Sequence, residues 1–333
     1  MSEDRHRLAE ATPGTVHVSL GSAGVLGLAA CRAAVAPTTA YLMTGGRCAH
    51  NCAFCAQARS STTSDDQLSR VTWPSFPTEQ VLSRLAVAYE QGALQRCCLQ
   101  VTSGPELEQV RAMVRAIRRV TAVPLCISIR VTGLAPLEEL LELGAERVTL
   151  AADAVCERVY RQVKGPDWQR MLDLLTSAAR QHPGRVGTHV IIGLGETEAE
   201  AAAFLQQMQD LGITVGLFAF TPVRGTALAS APPPPLASYR RMQAALHLIR
   251  NEYAHAGQFR YTPEGRIISY GLDAATLRRL LAAGEAFRTA GCTGCNRPYY
   301  NERPGGPLYN YPRPLRPEEA EAAVGLVLEG LEA

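Results

Sequence analysis

Lysine is nearly missing from this chain: 32 of its 33 basic residues are arginine and Lys164 is the single exception. GC-rich coding or a heat-adapted host would produce such a bias, and no mechanism is read from it. Also missing is any apolar run near the roughly 20 residues needed to cross a bilayer. The opening MSEDRHRLAE lacks the basic-then-apolar order of a secretory signal. These absences predict a soluble, cytoplasmic chain with no membrane partner. The formal charge is only +2 and the basic residues form no block, so nothing points to a nucleic-acid partner. No internal repeat of fixed short period is present.

What is present is 333 residues, 47% of them hydrophobic, enough for one large core. Extended runs at 96–102, 125–131, 147–151, 185–192 and 215–220 alternate with helical stretches at 78–91, 106–120, 136–143, 168–181 and 198–211. This β-then-α rhythm predicts a parallel sheet, which right-handed crossovers close into a barrel or leave as an open layered sheet. The expected fold class is α/β, a TIM-type (β/α) barrel, full or partial, with N- and C-terminal extensions covering it. The divisions read from the pattern are an extension over 1–38, a barrel core over 39–235 and a C-terminal completion over 236–333. Four successive prolines, 232–235, form a stiff connector before a helix at about 237–253. The segment 291–315 is dense in Pro, Gly, Tyr and Asn without any period, and reads as an ordered loop lying over something.

Ten cysteines in a cytoplasmic chain are not a disulfide framework, because thiols there stay reduced and serve as buried, catalytic or metal-binding groups. Cys48, Cys52 and Cys55 form a CxxxCxxC loop directly after a strand ending near Thr44, where a barrel delivers its functional residues. Three thiolates hold three irons of a 4Fe-4S cube and leave the fourth iron open to a small molecule. The alternatives are a zinc site completed by His50 and plain buried cysteines.

This motif resembles the radical S-adenosylmethionine (SAM) superfamily. The resemblance implies that SAM chelates the open iron, that an electron from the cluster cleaves its sulfonium, and that the 5′-deoxyadenosyl radical takes a hydrogen from the substrate. It further implies SAM contacts for Phe54 near the adenine, for Thr102, Ser103 and Gly104 at the methionine end, for Asp153 on the ribose hydroxyls and for Ile191 against the adenine. The other reading of Asp153 is a helix N-cap. Arg130 and Arg224 are further candidates for an anion.

Between about Tyr41 and Arg266 the chain is similar to biotin synthase, through GALQRCCLQ, LCISIR, GLGET and the VRGT turn. That resemblance implies a second cluster within the barrel, for which Cys97, Cys126 and Arg260 match three of four ligand positions, while the fourth is Gly187, which cannot ligate iron. The CxxC of Cys292 and Cys295, with Cys31, is instead similar to the two-protein lipoyl synthases. This implies an auxiliary 4Fe-4S cluster on Cys31, Cys292 and Cys295, with Arg260 paired to a carboxylate across the barrel floor. Cys98 and Cys156 read as small buried residues.

The implied function is sulfur insertion into an octanoyl chain on a lipoyl-carrier protein or octanoylated peptide, with a second lipoyl synthase component and an electron donor as partners. The alternatives are sulfur insertion into dethiobiotin, a radical SAM reaction without sulfur insertion, and a non-enzymatic zinc or iron-sulfur protein.

Overall fold

The computed structural model describes residues 12–102, 107–302 and 305–332. Its strands are β1 (Thr15–Val18), β2 (Thr39–Thr44), β3 (Gln67–Leu68), β4 (Val71–Thr72), β5 (Ser75–Pro77), β6 (Arg96–Val101), β7 (Leu125–Ser128), β8 (Arg147–Thr149), β9 (Val186–Ile192), β10 (Thr214–Ala219), β11 (Arg260–Tyr261) and β12 (Ile267–Ser269). Eight of them form one sheet in the order β10-β9-β8-β7-β6-β2-β1-β5. The six from β2 to β10 are mutually parallel, while β1 runs antiparallel to both β2 and β5.

Helices occupy the crossovers, at Thr78–Glu90, Leu107–Val120, Leu134–Glu142, Trp168–Gln181 and Glu198–Asp210, close to where the sequence places them. Their apolar stripes pack on the outer face of the sheet, for example Val110, Met113, Val114 and Ile117 of Leu107–Val120. Thr197 opens Glu198–Asp210 with a capping box in which Glu200 reaches back to the Thr197 backbone.

Strand pleating sorts the remaining side chains. On β6, Leu99 faces the helices and is fully buried, and Cys97 lies with it in the core cluster. Cys98 and Gln100 face the opposite side. There they line one cavity with Cys126 and Ser128 of β7, Arg147 and Thr149 of β8, His189 and Ile191 of β9, and Gly216 and Phe218 of β10. The parallel strands therefore curl around a lumen as a partial TIM-type barrel.

The segment read as a covering loop docks on this barrel. Asn296 accepts from the Thr38 backbone N–H at 2.9 Å and donates to the Ala36 carbonyl at 2.9 Å, just before β2. Arg297 donates to the Leu217 carbonyl, and Asn301 donates to the Ala219 carbonyl at 2.9 Å, both on β10. The loop thus links the segment before β2 to β10. Within the N-terminal region, β1 is an integral strand of the sheet. Its TVHV alternates polar and apolar residues with the strand period, but four residues are too short a run to stand out. Among the described residues no helix is long and apolar enough to cross a membrane.

Candidate active site

The chain leaves β2 through Gly45, whose φ of +94° favours glycine, and enters the cysteine loop at the C-terminal end of the barrel. Arg47 pins this loop by donating to the carbonyls of Ala56 at 2.7 Å and Thr63 at 2.5 Å. Backbone bonds from Cys48 to Gln57, from Cys55 to Cys52 and from Ala53 to Val163 hold its shape. Burial pushes the Cys55 thiol up to about 12, and burial raises Cys52 while the Lys164 ammonium pulls it back.

Cys48 and Cys52 line a recess with His50, Thr102, Arg130 and Lys164. Cys55 also borders the lumen, a cavity of about 250 Å³, where Phe54, Asp153 and Ile191 stand. The strand ends therefore bring together every described candidate for SAM contact. Ser103 and Gly104 lie outside the described residues.

Asp153 is not an N-cap, since the next helix, Glu157–Val163, is capped at Cys156. It sits instead at φ +61°, with its N–H on the His189 carbonyl and its carbonyl taking the Ile191 N–H, both at 2.8 Å. A left-handed non-glycine residue clamped on both sides aims its side chain at a fixed point. Lys164 Nζ meets that carboxylate at 2.7 Å, also donates to the Ala151 carbonyl, and lies over the Tyr160 ring. The single lysine thus belongs to the site. Composition carried that signal, because one ammonium survives where every other cation is a guanidinium.

The donor set suits SAM and a cluster. Arg130 Nη1 is buried in the recess without a hydrogen-bond partner, while Nη2 reaches Asp167 at 3.3 Å. A free guanidinium edge beside three thiols is a seat for a carboxylate. No three His, Cys, Asp or Glu side chains among the described residues stand as close as one metal ion requires. A 4Fe-4S cube spreads its thiolates more widely than a single ion does. Arg224 is exposed in a separate surface recess and leaves the candidate list.

The far end of the lumen corrects four expectations. Cys98 is not a bland core residue, because the pleat turns it inward while Cys97 points into the helix layer. Arg260 is exposed on the β11 hairpin and pairs with Glu332 at 2.8 Å, so it meets a carboxylate but not on the barrel floor. Cys31 lines a different recess, walled from the lumen by Tyr41, Trp73, Arg297 and Tyr300. Cys292 and Cys295 do reach the lumen, where they meet Cys98 and Cys126 and leave Cys31 apart.

The sequence reading also missed Arg147, Arg297 and His189. Arg147 Nη1 donates to Cys292 Sγ at 3.3 Å. The Arg297 guanidinium lies 3.7 Å over the Phe218 ring. His189 stacks edge-on against Phe218, and burial brings its pKa down to about 4, so it is neutral near pH 7. The strand period of two could have placed His189 and Arg147 inward, but Arg297 sits on a loop without a period.

Comparison with known proteins agrees with this geometry. Residues 42–208 match the family model of the radical SAM superfamily. The biotin synthase of Citrifermentans bemidjiense is 28% identical over 193 residues, 56% of this chain and 56% of that protein. That of a Synechococcus strain is 25% identical over 216 residues, 61% of this chain and 66% of its own length. The chain thus spans between half and two thirds of these relatives. Among solved structures, the FeFe-hydrogenase maturase HydG from Carboxydothermus hydrogenoformans superposes with a TM-score of 0.52 at 16% identity, covering 88% of this chain and 78% of that one. Methylornithine synthase gives 0.50 at 15% identity over 64% and 62%. These structural likenesses establish the fold.

Proposed function

This chain belongs to the radical SAM superfamily, a membership that implies SAM and 4Fe-4S cofactors, and from that premise we propose that it is a sulfur-inserting enzyme. The observation that carries the reading is a second group of thiols on the same cavity that the Cys48, Cys52 and Cys55 loop borders. The similarity to biotin synthases supports sulfur insertion, and two departures argue for a different acceptor. Gly187 stands where a fourth ligand is needed, and a Cβ there would lie 2.8 Å from Thr149 Oγ1. Arg260 is remote, on the surface.

We propose as acceptor an octanoyl chain carried by a lipoyl-carrier protein or octanoylated peptide. A partner enzyme would place the other sulfur, and an external protein would donate electrons. With cofactors bound, the site supplies a radical strong enough to take hydrogen from an unactivated C–H bond and a sulfide to replace it. The chain's own residues do the positioning. Arg130 offers its unpaired Nη1 to the SAM carboxylate. Asp153, held by Lys164, faces the ribose hydroxyls. Phe54 and Ile191 give the adenine apolar walls. The apolar lumen excludes water from the radical.

Arg297 favours a second reading. It lines the cavity with no carboxylate at ion-pair distance among the described residues, so an acid such as dethiobiotin has a counter-ion there. The test is anaerobic incubation of the reconstituted chain with SAM, a strong reductant and either octanoyl-lysyl peptide or dethiobiotin, following 5′-deoxyadenosine and product mass. Sulfur gained by the peptide supports the leading reading, and sulfur gained by dethiobiotin supports the second. Deoxyadenosine with no sulfur gained by either sinks both.

A further inference from the structure

The radical chemistry uses one end of the lumen, and the other end holds four thiols that the SAM site leaves unexplained. Cys98 of β6 and Cys126 of β7 are direct cross-strand partners, and both line the cavity. The loop brings Cys292 and Cys295 against them from below, tied into one turn by the Cys295 N–H on the Cys292 carbonyl at 3.0 Å. The Cys126 thiol is within hydrogen-bonding contact of both Cys98 and Cys292. Cys295 Sγ lies 3.1 Å from the Tyr41 hydroxyl. Cys98 and Cys295 pack on the same cluster of Tyr41, Met43 and Trp73.

None of these cysteines is in a disulfide. A second observation concerns charge. Arg147 donates to Cys292 Sγ, and its Nε is buried with no partner. The guanidinium is half-buried and its Nη2 reaches the Gly184 carbonyl at 3.1 Å, so the buried Nε is the one donor left without an acceptor, beside sulfur neighbours. A cluster's inorganic sulfides and thiolates would provide both an acceptor and the opposite charge.

We propose that Cys98, Cys126, Cys292 and Cys295 together ligate an auxiliary 4Fe-4S cluster at the floor of the barrel, with Arg147 donating to its sulfurs and Cys31 taking no part. This rests on the two-cluster reading above and assigns the second cluster's ligands. Four thiolates occupy all four irons, whereas the Cys48 loop leaves one open. The second cluster therefore meets an acceptor through its sulfides and offers no iron for a substrate to chelate. It also ties the C-terminal loop to β6 and β7, so loading and loop docking are coupled.

The test starts from the triple variant C48A/C52A/C55A, reconstituted anaerobically as the full chain and read by iron and sulfide content with Mössbauer spectra. The triple variant should keep about four irons, half of the wild-type content. Adding C98A, C126A, C292A or C295A should at least halve that iron and change the spectrum. Adding C31A or C97A should change neither, with circular dichroism confirming the fold of each.

Alkylation of the unmutated, loaded protein is an independent check, since it should label Cys31 while all four proposed ligands stay blocked until the iron is stripped. Iron lost on C31A but kept on C98A and C126A overturns the assignment, as does labelling of Cys98 or Cys126 in the loaded protein. Absence of sulfur in the product with iron and protection intact counts against the proposed function and leaves the ligand set standing.

Discussion

The two groups of cysteines in this molecule are built in opposite ways. Cys48, Cys52 and Cys55 lie within eight residues on one loop, pinned by local hydrogen bonds and by Arg47. Cys98, Cys126, Cys292 and Cys295 come from two strands and a distant loop, and only the closed barrel brings them together. A contiguous motif is fixed by a short stretch of chain and is cheap to read. A dispersed site costs loop-closure entropy that the rest of the fold must offset, and it exists only once the C-terminal loop has docked. In the proposed assignment the first group leaves a ligand position open for SAM, while the second closes its own.

The largest effect expected from breaking this contrast is at the contiguous loop. C48A, C52A or C55A should abolish SAM cleavage, with 5′-deoxyadenosine falling by at least about 1,000-fold, a loss of more than 4 kcal/mol in transition-state terms. By comparison, C292A/C295A should still release deoxyadenosine while the product gains no sulfur. Loss of both activities together would show that the two ends are not separable.

Lys164→Met removes one partner of a buried ion pair and leaves the Asp153 carboxylate uncompensated, for an expected loss of about 3 kcal/mol in unfolding free energy. Lys164→Arg keeps the charge but not the compact ammonium, and should weaken SAM binding about tenfold by calorimetry. An unchanged affinity would remove Asp153 and Lys164 from the SAM site.

Smaller still is Arg147→Met, which should keep the iron of the dispersed site and shift its midpoint potential to a more negative value, because a positive hydrogen-bond donor is lost. An unmoved potential would mean that Arg147 does not face the cluster.

The last effect is confined to acid pH and leaves stability near pH 7 unchanged. The His189 pKa lies at about 4, below the usual value of 6.5, so between these values the unfolded chain binds the extra proton. Its contribution to stability is therefore complete above about pH 6.5 and is lost as pH falls toward 4, at no more than about 1.4 kcal/mol per unit. His189→Gln should flatten that part of the stability profile in chemical denaturation.

Much of the architecture was legible because it is locally encoded. The five extended runs after β2 became β6 to β10 almost residue for residue, since apolar runs bounded by Gly and Pro and separated by helical stretches leave few alternatives. β1 was not legible: it is four residues long and pairs antiparallel only because the sheet edge is there to receive it. The candidates for SAM contact were read from the motif and from where strands end, and Asp153, Phe54, Ile191 and Thr102 line the two cavities beside the cysteine loop. Arg130 was a candidate, but its unpaired Nη1 became visible only with burial.

By itself the sequence determined the radical SAM loop, the βα rhythm and the presence of further cysteines, because each depends on neighbours a few residues apart. Only the tertiary structure decided which of those cysteines meet. Whether Cys97 or Cys98 faces the lumen depends on pleat parity, a register fixed by pairing with β2 and β7. Whether the CxxC joins Cys31 or the strand cysteines depends on where the loop from Gly291 docks. Its Asn296 and Asn301 bonds settle that, because they link the segment before β2 to β10.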